Sequence, residues 1–210
     1  QPLIRALHER ELAQVYAIDL PGFGSAFHEP CASLERVLDF IAGQLPARCY
    51  LAGWSLGGML ALQLAARDPA RIAGVITLGS NLHFTQQGDW PGMPPADYEQ
   101  FCQRFAAQPQ KTWQRFLALQ TRGDSEASKA DTLLQMLADG RDMEVDTAAA
   151  MLALLGEIDN RGILPALAMP VLQLLGEQDA ITPLAVADVL PAVQAHHAVQ
   201  VLRGAGHALP

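Results

Sequence analysis

Residues 51–60 read LAGWSLGGML, and this stretch decides the fold. An apolar run enters the motif Gly-Trp-Ser-Leu-Gly-Gly, and a second apolar run leaves it. Residues 53–57 fit the pattern G-x-S-x-G, which is typical of a strand, a sharp turn bearing a nucleophilic serine, and a helix. Gly53 and Gly57 have no Cβ atom, so strand and helix can approach closely and the hydroxyl of Ser55 stands clear at the end of the strand.

The same turn predicts a site for negative charge. The N–H of Leu56 is the first of the helix and would point at the charge that develops on an attacked carbonyl oxygen. We therefore expect Leu56 to contribute to an oxyanion hole. The alternative is that Ser55 only caps the helix, which the strand–turn–helix context disfavours.

Short apolar segments alternate with helical patterns on both sides of the motif. Strands are predicted at 15–20, 49–53, 74–80, 169–176 and 197–204, and helices at 33–45, 56–69 and 183–193. Short buried strands that alternate with helices form a parallel sheet with helices on both faces. The fold class is therefore α/β.

The alternation stops in the middle of the chain. Residues 86–160 contain no convincing strand, and helices are predicted at 95–107, 110–121, 125–139 and 146–156. Because α/β proteins bind ligands at the carboxyl edge of the sheet, we interpret 86–160 as a helical lid between core segments 1–85 and 161–210. The helix predicted before the first strand, and the few residues after His207, predict that the fold is cut at both ends.

An activated serine needs a base, and the base needs an acid that orients it. In the order Ser, Asp, His that goes with this motif, Asp179 follows the strand VLQLL and His207 follows AVQVL. The carboxyl ends of parallel strands share one edge of a sheet, so we expect Ser55, Asp179 and His207 to form a catalytic triad. The weaker rivals are His83, His196, His197 and Glu177.

Composition limits the classes of partner. The net charge of −8 argues against nucleic acid or anionic lipid. No apolar run has the length of a membrane span, and three widely spaced cysteines indicate free thiols in a reducing cytoplasm. We expect a monomer without cofactor or metal. Residues 101–130 hold five basic and two acidic side chains, which fits either a binding patch or an ordinary solvated helix face.

At this point the motifs resemble a known family. DLPGFG (19–24), GWSLGG (53–58), DWPG (89–92), RFLALQ (115–120) and GAGHA (204–208) are similar to those of α/β-hydrolases. Within these, the chain resembles the biotin-synthesis esterases that hydrolyse pimeloyl-acyl-carrier-protein methyl ester (BioH-type). GWSLGG together with RFLALQ is much more specific than the other stretches. The resemblance implies a Ser-Asp-His triad at Ser55, Asp179 and His207, with Leu56 in the oxyanion hole.

The resemblance also implies roles for the predicted lid. Residues there would line an acyl pocket, and basic ones would contact an acidic carrier protein. The implied substrate contacts are Trp54, Phe116, Leu117, Ala118, Leu119 and Gln120, and the implied partner contacts are Lys111 and Arg115. From the residues alone, an apolar stripe at helical spacing is more often core than pocket.

The resemblance implies a carboxylesterase that hydrolyses the methyl ester of a biotin precursor and also accepts short-chain esters. Two other classes remain open. One is a related triad enzyme, such as a carbon–carbon bond hydrolase or a thioesterase. The other is a non-catalytic binding protein on the hydrolase scaffold, because a fold does not guarantee its chemistry.

Overall fold

A computed structural model describes residues 2–10, 14–30, 33–124, 144–190 and 197–209 of the chain. The described strands are β1 (Cys49–Trp54), β2 (Ile72–Leu78), β3 (Val171–Gly176) and β4 (His197–Leu202). The described helices are α1 (Pro2–Glu9), α2 (Leu34–Ala42), α3 (Leu56–Arg67), α4 (Pro95–Ala107), α5 (Pro109–Gln120), α6 (Val145–Glu157) and α7 (Val186–Val189). Short 3₁₀ turns span Gly24–Ala26 and Leu164–Ala166.

The described strands form one parallel sheet in the order β1-β2-β3-β4. The central strands are largely buried, as is typical of a parallel sheet that is covered on both faces. Most residues of β2 are buried, and so are most residues of β3. Because all strands run the same way, their carboxyl ends lie at one edge. The predicted α/β fold is confirmed.

Helix α3 anchors the core. It packs against β1 and β2, and α2 packs against α3. Val37 of α2, Leu62 of α3 and Val75 of β2 are at most 2% exposed and belong to one hydrophobic cluster. Burial of such side chains contributes about 1.5–3 kcal/mol each, so the strand and helix that flank the serine turn are held by a buried apolar cluster.

The segment 15–20 is not a strand, contrary to the sequence prediction. A strand needs a neighbour to complete its hydrogen bonds. In the described sheet β1 is the first strand and pairs with β2 alone. The segment instead leads into a turn in which the Asp19 carboxylate accepts hydrogen bonds from the N–H and hydroxyl of Ser25, both at 2.9 Å.

Helices α4, α5 and α6 lie between β2 and β3 in sequence, and the described part of 86–160 contains isolated bridges but no named strand. The fourth helix predicted there, at 125–139, falls outside the described residues. Asn160 ties the end of this helical insertion to the core. Its buried amide donates to the carbonyl of Met59 (3.1 Å) and accepts from Gln63 (2.8 Å).

Candidate active site

Ser55 sits in a strained turn between β1 and α3. Its φ of 53° and ψ of −120° make it the one residue other than glycine with positive φ in the described part of the chain. Two hydrogen bonds hold this conformation: its N–H donates to the Leu78 carbonyl (2.9 Å), and the Ser80 hydroxyl donates to its carbonyl (2.7 Å). Such strain persists where the surroundings enforce it and marks functional sites.

Ser55 precedes the first helical residue, but its hydroxyl makes no capping hydrogen bond. The alternative that it serves only as a helix cap is therefore not supported. The N–H of Leu56 belongs to the first turn of α3, whose N–H groups have no acceptor within the helix. The Ser55 hydroxyl and the Leu56 N–H therefore lie together at the start of α3, and neither is used to cap the helix.

The glycines around the serine differ in what they do. A Cβ atom at Gly53 would overlap the backbone of Gly57, so the close crossing of strand and helix requires glycine there. A Cβ at Gly58 would lie 2.7 Å from the Ser80 hydroxyl. A Cβ at Gly57 would meet nothing within 4 Å. The second contact that excludes a side chain is thus made by Gly58 and not, as the motif suggests, by Gly57.

Asp179 and His207 form a buried pair. His207 Nδ1 lies 2.8 Å from Asp179 Oδ2, and both side chains are 1% exposed. The other carboxylate oxygen, Oδ1, accepts the N–H groups of Ile181 and Thr182, each at 2.8 Å. With both oxygens engaged, the carboxylate fixes the imidazole orientation and favours the tautomer with its proton on Nδ1.

The His207 imidazole lies close to the ends of β1 and β2. A Cβ atom built on Gly79, the residue that follows β2, would lie 3.2 Å from His207 Nδ1. The indole N–H of Trp54 donates to the His207 carbonyl (2.8 Å), and the two rings are 5.7 Å apart. The three predicted triad residues therefore share one edge of the sheet.

The second nitrogen of the His207 imidazole has different surroundings from Nδ1. Nε2 of His207 is buried and has no hydrogen-bond partner among the described residues, Ser55 included. Hydrogen bonds between base and nucleophile are often long in enzymes without substrate and tighten when it binds. A buried nitrogen without a partner is costly, which is typical of a group reserved for a reaction.

Supporting residues at this site escaped the sequence analysis. The Thr182 hydroxyl donates to the Gly79 carbonyl (2.9 Å), which joins the acid loop to the end of β2. Ser80 supports the serine turn, as described above. The order Asp179-Ala-Ile-Thr182 did carry a signal for the turn itself, because an Asp that accepts N–H groups two and three residues later is a known pattern, but it carried none for the hydroxyl contact with Gly79.

The other candidates for the base and the acid contact residues away from Ser55, or lie outside the described residues. His83 contacts the carbonyl of Ile158 and the hydroxyl of Thr85, both at 3.3 Å. His197 starts β4 opposite Val171, at the amino edge of the sheet, and His196 lies outside the described residues. Glu177 accepts the N–H of Gly204 (2.8 Å) and braces the two loops.

The residues expected to line an acyl pocket differ in burial. Leu117 and Gln120 are buried, Phe116 and Leu119 are half-buried, and Ala118 is exposed. The Phe116 ring contacts the tilted rings of Trp113 and Phe101, at centroid distances of 5.9 and 5.6 Å. Oε1 of Gln120 is buried with no partner in the described chain.

Lys111 and Arg115 are exposed on α5, four residues apart, and therefore on one face of the helix. Neither forms an ion pair within the ranges that the structure describes. None of the described helices is long and apolar enough to cross a membrane.

Comparison with known proteins identifies the family of the chain. A family described as "alpha/beta hydrolase fold" matches residues 2–210. The chain is 43% identical over 210 residues to the biotin biosynthesis bifunctional protein BioHC of Cellvibrio japonicus, covering all of this chain and 41% of that protein. It is 36% identical over 199 residues to the pimeloyl-[acyl-carrier protein] methyl ester esterase of Shewanella woodyi, covering 93% of this chain and 77% of the esterase.

The chain thus spans about two fifths of the bifunctional relative and about three quarters of the esterase. Among solved structures, an esterase from Exiguobacterium antarcticum superimposes with a TM-score of 0.76 at 20% identity, over 90% of this chain and 73% of that one. A hydrolase from Pseudomonas aeruginosa gives 0.74 at 20% identity, over 97% and 78%. At this identity the superpositions bear on the fold alone.

Proposed function

Because the chain belongs to the α/β-hydrolase family and resembles its pimeloyl-acyl-carrier-protein methyl ester esterases, we propose that it is a serine carboxylesterase. The observation that carries the proposal is the buried Asp179–His207 pair, whose free Nε2 lies at the edge where the strained turn presents Ser55. In this proposal Ser55 is the nucleophile, His207 the base and Asp179 the orienting acid.

The reaction follows from these roles. His207 Nε2 takes the proton of the Ser55 hydroxyl as Oγ bonds to the ester carbonyl carbon. The oxygen of that carbonyl becomes an anion and accepts a hydrogen bond from the N–H of Leu56. His207 then protonates the departing alcohol as the ester bond breaks. A water molecule, deprotonated by the same nitrogen, attacks the acyl-enzyme and releases the acid and Ser55.

The proposed substrate is the methyl ester of a pimeloyl group on acyl carrier protein, with short-chain esters also accepted. The names and the identities of the relatives support this choice. Trp54 and residues 116–120 would contact the acyl chain. The helical insertion 86–160 would act as the lid between core segments 1–85 and 161–210. Lys111 and Arg115 would contact the carrier protein. We further propose a monomer in the cytoplasm, testable by size-exclusion chromatography and cell fractionation.

The first experiment tests the nucleophile. Wild-type protein, Ser55→Ala and the distant control Ser33→Ala are assayed with a p-nitrophenyl short-chain ester and a fluorophosphonate probe. Loss of Ser55 should lower turnover on the order of 10⁴- to 10⁶-fold, because members of a triad act as a unit. The probe should label the peptide that contains Ser55, and Ser33→Ala should behave as wild type.

Two outcomes would change the assignment. Hydrolysis that survives in Ser55→Ala would exclude this mechanism. No turnover and no label in the wild type would favour a non-catalytic hydrolase-fold binding protein. Comparing pimeloyl-carrier-protein methyl ester with thioester and dione substrates then decides among triad hydrolases.

A further inference from the structure

The turn that follows α5 touches both loops that carry the acid and the base. This turn, residues 121–124, is closed by hydrogen bonds from Arg122 N–H to the Leu119 carbonyl (3.2 Å) and from Asp124 N–H to the Thr121 carbonyl (3.3 Å). We call it the 121–124 turn. It belongs to the helical insertion, whereas Asp179 and His207 belong to the sheet edge.

On the acid side the contact is made by Gly123. Its φ is +87°, and a Cβ atom there would lie 2.7 Å from the carbonyl oxygen of Gln178 and 3.1 Å from the Gln178 Cβ. Gln178 is the residue directly before Asp179. Only glycine combines this backbone conformation with so close an approach, so the turn presses directly on the backbone of the acid loop.

On the base side there are two contacts. A Cβ atom at Gly206, directly before His207, would lie 3.3 Å from the Arg122 carbonyl oxygen and 3.4 Å from the Asp124 nitrogen. The N–H of Ala208, directly after His207, donates to the Gln120 carbonyl at the end of α5 (3.1 Å). Both neighbours of the base are therefore held by the helical insertion.

The acid and base loops also bind each other. The N–H of Gln178 donates to the Ala205 carbonyl at 2.8 Å, and a Cβ atom at Gly176 would overlap the carbonyl of Gly206. The two loops thus pack against each other, and the 121–124 turn packs against both of them. A displacement of the turn must displace the backbone on each side of the 2.8 Å Asp179–His207 contact.

We propose that Gly123 is a positioning residue, and that through the 121–124 turn helix α5 sets the geometry of the Asp179–His207 pair. This inference rests on the proposed function in so far as the pair is catalytic. It adds a mechanical link between the helical insertion and the base, so that a substrate or partner that shifts α5 also shifts His207.

The test compares two glycines that both have a positive φ. Gly123→Ala adds both φ strain and a clash with Gln178, whereas Gly88→Ala adds strain at φ +58° with nothing within 4 Å. We expect Gly123→Ala to lower kcat for a p-nitrophenyl ester about 10- to 100-fold with little change in KM, as small misplacements of catalytic groups do. Gly88→Ala should keep the wild-type kcat.

A second readout does not depend on catalysis. The Nδ1 proton of His207, which faces Asp179, is expected to give a far-downfield proton NMR resonance, and Gly123→Ala should shift or broaden it whereas Gly88→Ala should leave it in place. The measurement can be made on Ser55→Ala protein, so it decides the inference even if the wild type hydrolyses no ester. In that case the proposed function fails while the positioning role stands or falls separately.

An unchanged resonance and kcat in folded Gly123→Ala protein would overturn the proposal. If Gly123→Ala does not fold, Gly206→Ala applies a gentler push from the base side, since its contacts begin at 3.3 Å. It should shift the same resonance. A folded Gly206→Ala protein with the wild-type resonance would equally overturn the proposal.

Discussion

The two oxygens of the Asp179 carboxylate do different work. Oδ1 accepts two backbone N–H groups of its own loop, and Oδ2 faces Nδ1 of His207. The first contact holds the carboxylate still, and the second orients the base. An isosteric amide can keep the first contact but not the second.

We therefore predict that Asp179→Asn folds normally and loses turnover about 10⁴-fold. The N–H groups of Ile181 and Thr182 need an acceptor, so the amide oxygen takes the Oδ1 position and the NH₂ group faces Nδ1. His207 must then carry its proton on Nε2, where it cannot accept one from Ser55. Steady-state kinetics with a p-nitrophenyl ester measures the loss.

Glu177→Gln is the matched control for this change. It also converts a carboxylate to an amide in the acid loop, where its oxygen can still accept the Gly204 N–H. Turnover should change less than about twofold, as for substitutions that keep local contacts. Wild-type turnover in Asp179→Asn would show that His207 does not depend on this acid.

The residues of the site were predictable where chain order and strand ends decide them. Asp179 and His207 each follow an apolar run, and parallel strands bring such ends to one edge. The support around them was not predictable. The contact of Thr182 with Gly79, like that of Gly123 with Gln178, joins segments far apart in sequence, and no local pattern signals it.

At the scale of elements, the close crossing of β1 and α3 depends on Gly53 more than on Gly57. We predict that Gly53→Ala destabilises the protein by about 3 kcal/mol or more, because its Cβ would overlap rigid backbone of Gly57. Gly57→Ala should stabilise by about 0.5–1 kcal/mol, because alanine has the higher helix propensity and its Cβ meets nothing. Urea unfolding measures both, and equal effects would contradict this account of the turn.

The elements themselves were predicted unevenly. The pattern located α4 at 95–107 as observed, since Pro95 starts the helix and its apolar period continues to Ala107. The same reasoning made 15–20 a strand, because an apolar segment followed by a turn looks alike whether or not a neighbour is present. Strand formation depends on a partner that local sequence does not reveal.

A second prediction at this scale concerns the exit from the helical insertion. Arg161 donates hydrogen bonds to Asp159 from its side chain and from its own N–H, and they lower the pKa of Asp159 to about 2. The Arg161 guanidinium also contacts Gln87 and lies 5.8 Å from the Trp90 ring centre. The pair thereby fastens the chain after α6 to the loop 86–92.

Because the pKa of Asp159 in the folded protein lies below its ordinary value of 3.8, the pair stabilises the protein above about pH 4 and loses this contribution as the pH falls toward 2. Asp159→Asn should therefore unfold in less urea than the wild type at pH 7, and the difference should shrink at pH 2.5. The effect is small, since the side chains of Arg161 and Asp159 are 28% and 42% exposed. Asp89→Asn, an exposed carboxylate of the adjoining loop, is the control, and a difference that grows in acid would refute the linkage.

At the scale of the whole molecule, the charge is unevenly distributed: the net charge is negative, but one surface is basic. The chain carries −8 overall, yet α5 exposes Lys111 and Arg115 on one face, and Arg104 at the end of α4 is exposed as well. An acidic partner would be repelled by the net charge of the molecule and attracted to this face. Electrostatic steering of that kind affects association with a charged macromolecule far more than binding of a small neutral ester.

The proposed carrier-protein contact is tested by reversing these charges. Lys111→Glu with Arg115→Glu should lower kcat/KM for the carrier-bound methyl ester about tenfold or more at low salt, and added salt should narrow the gap because it screens exposed charges. Turnover of a p-nitrophenyl ester should stay within about twofold, since neither side chain is needed for the chemistry. Arg36→Glu with Arg48→Glu makes the same change in net charge outside the helical insertion and should spare both substrates. If both double variants slow hydrolysis of the carrier-bound ester equally, the net charge governs association and α5 is not the docking face. If the α5 variant slows hydrolysis of both esters, the substitutions have disturbed the fold of the helix and have not only reversed its charge.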